Sequence, residues 1–174
     1  LAGGWIPPIS AFPVTAGNLF AGFHVGAGAN SKHDEGLQVV ASLPADSIWR
    51  LRFDMPPVLP SGTPKLRLVA LSNATSGTAR VNPKWVSVAM GVSPSGATLV
   101  AEGVTPDSTA GQAGSGDTIT WGAGDNDQYV EAKWILNAAT APAANETIVM
   151  DLTFETASWT LAQVSTWKPM VGWE

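Results

Sequence analysis

The sequence predicts an all-β protein, an antiparallel β-sandwich of jelly-roll or Greek-key form with an extended N-terminal arm. Three observations lead there. From Ile48 onward, apolar and polar residues alternate in short runs, as in Ile48-Trp-Arg-Leu-Arg-Phe53 and Gln128-Tyr-Val-Glu-Ala-Lys-Trp-Ile-Leu-Asn137. A period of two puts one set of side chains on a core and the other in solvent. Gly, Pro, Asn and Ser interrupt these runs where a chain must turn. No stretch keeps a helical apolar spacing for more than a turn or two.

Residues 1–45 read as a Pro/Gly-rich arm and loop, and 46–174 as the sandwich. Leu1 to Val14 carries three prolines and no charged side chain. Proline fixes φ and donates no ladder hydrogen bond, so this stretch is expected to be extended. It is too apolar for a solvated linker. Trp5, Ile6, Ile9, Phe12, Phe20 and Phe23 are therefore the interface candidates, docking on the arm's own domain or on a neighbouring subunit. A polar loop follows over 26–36.

About eight strands are expected from Leu37 on, a common sandwich size. The first two are Leu37–Ser42 and Ser47–Asp54. The second places Trp49, Leu51 and Phe53 on one face and Arg50 and Arg52 on the other. Prolines between Met55 and Pro64 force a turn-rich crossing. Lys65–Leu71 and Lys84–Gly91 come next, with Asn82-Pro83 suiting a strand start. A short strand fits Thr98–Glu102, and Thr105–Gly116 reads as a loop. Asp117–Trp121, Gln128–Asn137, Glu146–Glu155, Ser158–Gln163 and Lys168–Trp173 complete the set. Gly122 to Asp127 makes a tight polar turn, and one helical turn fits Gln163–Trp167.

The chain has 174 residues, enough for one domain with an appendage. Charged residues make up only 13 %, about half the usual share. Ser, Thr, Asn, Gly and Ala, or neighbouring subunits, are expected to cover much of the surface. The formal charge is −5 and no Lys/Arg cluster exceeds Arg50 with Arg52, which argues against a nucleic-acid partner. The chain has no cysteine, so disulfides, zinc–thiolate centres and cysteine nucleophiles are excluded. No window is apolar enough for a membrane-spanning helix, and no membrane partner is expected.

No cofactor and no metal site is expected. His24, His33, Asp34 and Glu35 form the only His/carboxylate cluster, but neighbours on an extended chain point apart. Asp125-Asn126-Asp127 holds part of a calcium loop's acidic pattern. Strand alternation resumes at Tyr129, and a turn bonding its own backbone accounts for it. Glu131, Asp151 and Glu155 are the carboxylates a glycoside hydrolase would pair. Asp151 lies opposite the apolar Ile148/Met150/Leu152/Phe154 face, where solvation is the default. No serine sits in a nucleophile elbow and no phosphate-binding loop exists. The chain reads as a non-enzyme.

Eight tryptophans carry more information. Trp49, Trp134 and Trp159 fall on apolar strand faces and are expected in the core. Trp121, Trp167 and Trp173 fall at strand ends, where an exposed ring could stack on a sugar or anchor a subunit.

The stretch from Trp49 through Asp54-Met-Pro-Pro-Val-Leu-Pro to Leu68 resembles structural proteins encoded by tailed bacteriophages and marine viral genomes. So do Thr120-Trp-Gly-Ala-Gly-Asp-Asn-Asp-Gln-Tyr129 and Val149-Met-Asp-Leu-Thr-Phe-Glu-Thr-Ala-Ser-Trp-Thr-Leu-Ala-Gln-Val164. The likeness runs from Ser47 to Glu174 and contains no catalytic motif. It implies a component of the virion: a capsid, capsid-decoration or tail-associated β-sandwich. A low-charge surface and an apolar arm agree with that. The expected partners are then copies of the chain, as a trimer, and other virion proteins. The alternative is a carbohydrate-binding module using exposed tryptophans, with a glycan as partner. A monomer whose arm folds back on itself would count against the assembly reading.

Overall fold

A computed structural model describes residues 4–14, 24–25, 35–39, 42–93, 104–106, 117–125, 128–136 and 142–174. Their strands are β1 (Ser10–Pro13), β2 (His24–Val25), β3 (Glu35–Val39), β4 (Ser47–Asp54), β5 (Pro64–Ser72) and β6 (Gly77–Val88). After them come β7 (Val104–Pro106), β8 (Asp117–Trp121), β9 (Tyr129–Leu136), β10 (Thr147–Glu155) and β11 (Ser165–Trp173). A five-stranded sheet has the order β1-β4-β10-β6-β8, and a six-stranded sheet the order β2-β3-β11-β5-β9-β7. Every strand pairing among the described residues is antiparallel. From β3 to β11 the chain changes sheet at every connection. That crossing pattern is the jelly-roll form of the sandwich expected from the alternation.

The core lies between the sheets and is built by the inward set of each strand. In β4 these are Ser47, Trp49, Leu51 and Phe53; in β10 they are Ile148, Met150, Leu152 and Phe154. Seven of the eight tryptophans are buried there: Trp49, Trp85, Trp121, Trp134, Trp159, Trp167 and Trp173. Trp167 of β11 meets Trp121 of β8 edge-on at 5.9 Å and Phe154 of β10 at 5.2 Å, joining the two sheets through aromatic contacts. Its indole N–H donates to the Ser165 hydroxyl at 2.8 Å.

Several boundaries differ from expectation, each for a physical reason. The strand expected to start at Lys84 begins at Gly77 and runs through Pro83. Proline is tolerated there because β8 pairs only Gly77–Val81, leaving the Pro83 flank open among the described residues. Pro169 sits likewise in β11, past the end of its pairing with β3 at Trp167. The strand expected over Ser158–Gln163 is instead a 3-10 turn, Thr156–Ser158, followed by irregular chain. The Thr160 amide bonds the Thr78 carbonyl at 2.9 Å and Thr78 bonds back through side chains, a local clasp rather than a ladder. Trp159 and Leu161 of this segment still reach the core. The helical turn expected over Gln163–Trp167 is absent, because Ser165–Trp167 pairs with β3 and β5. The expected Thr98–Glu102 strand lies outside the described residues, as does most of the loop expected over Thr105–Gly116.

The division at residue 45 does not separate arm from sandwich, since β1, β2 and β3 are members of the sheets. The arm's described part docks on its own domain. Ile6 bridges Val171, each amide bonding the other's carbonyl at 2.7 and 2.9 Å, and β1 then pairs with β4. Eleven residues thus join β4 of one sheet to β11 of the other. Trp5 lies flat over Gly172, where a Cβ would come within 2.5 Å of its ring. The Arg67 guanidinium and the Lys133 ammonium lie 5.6 and 5.9 Å from the Trp5 ring centre.

Gly172→Ala is expected to lift Trp5 and loosen the arm. Roughly 1–2 kcal/mol of docking lost corresponds to about tenfold faster cleavage within residues 4–14 in limited proteolysis. An unchanged cleavage rate would show that the ring is not what seats the arm. The crossing topology, with almost every ladder joining distant segments, predicts refolding in roughly milliseconds to seconds, measured by stopped-flow tryptophan fluorescence.

Candidate functional site

The outward residues of the five-stranded sheet form ordered rows. One row runs Phe12, Arg50, Asp151, Lys84 across β1, β4, β10 and β6. The next runs Ser10, Arg52, Val149, Val86, and the third Asp54, Thr147, Val88. On the other side lie Ile48, Thr153 and Asn82, then Glu155 with Arg80. Strand spacing makes the Phe12–Lys84 row about 14–15 Å wide.

Its charged groups are fixed in place. Arg50 grips Asp151 in a bidentate pair, Nε to Oδ1 and a terminal nitrogen to Oδ2, both at 2.7 Å. The Asp151 side chain is only 10 % exposed, although it points away from the core. Solvation was the expected fate of this carboxylate; the arginine 101 residues away takes that role. The hydrogen bond from Arg50 to Asp151 raises the guanidinium above its already high range, against the opposing effect of burial. Arg80 bonds Glu155 at 2.7 Å, and the Asn82 amide holds the other Glu155 oxygen at 2.9 Å. Arg52 is held more loosely: its contacts with Asp54 are 3.4 Å long, and its side chain is 54 % exposed.

Beside the Arg50 row a cleft of about 240 Å³ opens on this face. Val149, Thr147 and Val88 form its floor, Arg52 one wall, and the turn Ala89 to Val92 the other. The turn closes through a Val92 amide bond to the Ala89 carbonyl, with Gly91 at φ +83°. It holds Met90 and Val92 out in solvent. Phe12, half exposed, stands at the β1 side of the face.

The outer face of the six-stranded sheet is a different surface. Trp5 covers Gly172, and Arg67 pairs with Glu131 at 2.8 Å. Lys133, and then Lys65, hydrogen-bonds Glu174 and holds its carboxyl below the usual range. Tyr129 is exposed, with the Lys168 ammonium 5.4 Å from its ring.

The sites expected from sequence fare unevenly. The stacking candidates Trp121, Trp167 and Trp173 are 1 %, 0 % and 6 % exposed and present no ring to a ligand. Strand parity, not position at a strand end, decides their direction, and all three point between the sheets. Of the interface candidates, Trp5 and Ile6 are half-buried against the chain's own sheet, whereas Ile9 and Phe12 are exposed. Phe20 and Phe23 lie outside the described residues, as do His33 and Asp34. Glu131 lies on the opposite face from Asp151 and Glu155. The latter two, four residues apart on one strand, stand about 13 Å apart along it, beyond the roughly 5–9.5 Å of a hydrolase pair. Asp125 accepts the Gly122 amide at 2.7 Å, so its carboxylate closes the turn. Among the described residues no group of three His, Cys, Asp or Glu side chains is placed to hold a metal.

No family model matches the sequence, and neither does any curated protein. Among solved structures, the chain is similar to a family 11 carbohydrate-binding module from Clostridium thermocellum in complex with a β-1,3-1,4-mixed-linked tetrasaccharide. The TM-score is 0.46 at 8 % identity, over 99 % of this chain and 95 % of that one. It is also similar to a protein from Bacteroides thetaiotaomicron described as sugar binding, with a TM-score of 0.45 at 11 % identity over 100 % and 89 %. A third is TmCBM61 in complex with β-1,4-galactotriose, with a TM-score of 0.38 at 7 % identity over 94 % and 84 %.

The expectation of a capsid, capsid-decoration or tail component is corrected at this point. Two of these structures are described with a saccharide bound and one as sugar binding, and none of the three is described as a virion component. The apolar arm, which carried the assembly argument, has its described residues bonded to the chain's own two sheets.

Arg50→Met leaves a buried carboxylate without its partner and is expected to cost roughly 2 kcal/mol, after allowing for the exposure of Arg50. Urea unfolding measures it. The double variant Arg50→Met/Asp151→Leu should recover most of the loss, because an apolar pair removes the buried charge.

Proposed function

We propose that this chain is a non-catalytic carbohydrate-binding domain that takes a saccharide on the outer face of its five-stranded sheet. The observation that supports it is the union of two surfaces on one face. The cleft over Val149 and Val88 is apolar-floored, and beside it runs a row of polar groups locked by the Arg50–Asp151 pair. A sugar ring needs both. Its C–H faces gain from leaving water against apolar side chains, and its hydroxyls need donors and acceptors whose positions are already set. Groups ordered before binding lose little entropy on contact, so modest numbers of contacts suffice for recognition. Phe12 supplies an exposed aromatic face at the margin. The wide spacing of the carboxylates fits binding without hydrolysis.

Affinity electrophoresis against a panel of soluble polysaccharides tests this directly. At least one should retard the protein. Val149→Arg, which fills the cleft from an outward position, should abolish the retardation while leaving the unfolding midpoint within about 0.5 kcal/mol of the parent. Phe12→Ala should weaken it up to about tenfold, the scale of one lost aromatic contact. Retardation that survives Val149→Arg would move the site elsewhere, and a panel with no retardation would remove the reading.

A further inference from the structure

The geometry points to a carboxylate-bearing saccharide, a uronic acid polymer, as the ligand class, with Arg52 as the guanidinium that receives the carboxylate. This rests on the saccharide reading of the same face and adds its charge.

Three arginines stand on that face, and they are held unequally. Arg50 and Arg80 each contact a carboxylate at 2.7 Å and are drawn into their partners. Arg52 shares one oxygen, Oδ1 of Asp54, through two contacts at 3.4 Å. That same oxygen already accepts the Thr147 hydroxyl at 2.8 Å. Arg52 is also the only one of the three that lines the cleft. A guanidinium is a planar fork matched to a carboxylate through two parallel bonds, and here the fork is half exposed and loosely engaged.

A second cation lies within reach. Lys84, in the next row, is exposed and opposite Asp151, whose two oxygens are both taken by Arg50. Among the described residues Lys84 meets no carboxylate. Each arginine on this face has a carboxylate partner among the described residues, Asp54, Asp151 or Glu155, and Asp46 at the far end of the face accepts the Thr156 amide. The chain as a whole carries −5. A uronate placed on the Val149 floor would meet the loosely held Arg52 on one side and Lys84 on the other.

Isothermal titration with oligomers of galacturonate, guluronate, mannuronate and glucuronate, beside neutral glucan, galactan and mannan oligomers, decides the matter. At least one uronate should bind. Its methyl ester, which keeps the ring and loses the charge, should bind at least about tenfold more weakly. Binding should weaken as salt rises from 50 to 500 mM. Arg52→Gln should lower uronate affinity about tenfold and Lys84→Gln severalfold, with both unfolding midpoints unchanged. Equal affinity for acid and ester, or an Arg52→Gln variant that binds as the parent does, overturns the inference. Binding of neutral oligomers alone also overturns it and leaves the saccharide reading standing. Binding of none removes the saccharide reading itself.

Discussion

Trp167 touches Trp121 and Phe154 across the gap between the sheets, and Trp159 closes on the same rings from the 3-10 turn. That aromatic layer bears an unusual share of the fold. Because the chain changes sheet at every connection from β3 onward, neighbours in sequence face each other across the core rather than across a ladder. Ladder hydrogen bonds hold each sheet together but do not join the two. What joins them is burial of the inward side chains, the connecting loops, and the arm, which bonds β4 of one sheet and β11 of the other. The same burial fixes the outward side chains, since parity leaves them no other direction.

The candidate face inherits its order from this constraint. Phe12, Arg50, Asp151 and Lys84 come from four segments widely separated in the chain, and register alone lines them up. A sheet row is stiff, and an ion pair bonded at both oxygens is stiffer. A face of this kind selects by shape and by where its donors stand, not by folding around the ligand. The apolar cleft next to it depends on a single short turn, which lets the floor stay constant while Met90 and Val92 set its far wall.

Strand content was largely legible because alternation is a local signal. Ser47–Asp54 and Asp117–Trp121 coincide with the observed strands. Pro83 misled, since proline inside a strand is excluded only where both flanks are paired, and pairing is not written locally. The site was legible in part. Arg50, Arg52 and Asp151 were correctly given outward directions by parity. Their meeting depends on the β4–β10 register, which no short-range pattern carries. The tryptophans were the reverse case: conspicuous in composition and poorly placed by it. Ring size favours the core as strongly as it favours stacking, so only the parity of Trp167 and Trp173 within β11 could have separated the two.

Pro83 and Pro169 have a further consequence. Among the described residues Pro83 stands where β8 has ended, and Pro169 in the short gap on β11 between its last pair with β3 at Trp167 and the Ile6 bridge at Val171. An open strand flank is a template on which a second chain can extend the sheet, and a weakly charged protein has little electrostatic repulsion to prevent it. A residue with no N–H interrupts that template at its middle. Among the described residues the two prolines therefore guard these two stretches of strand against pairing with a second chain.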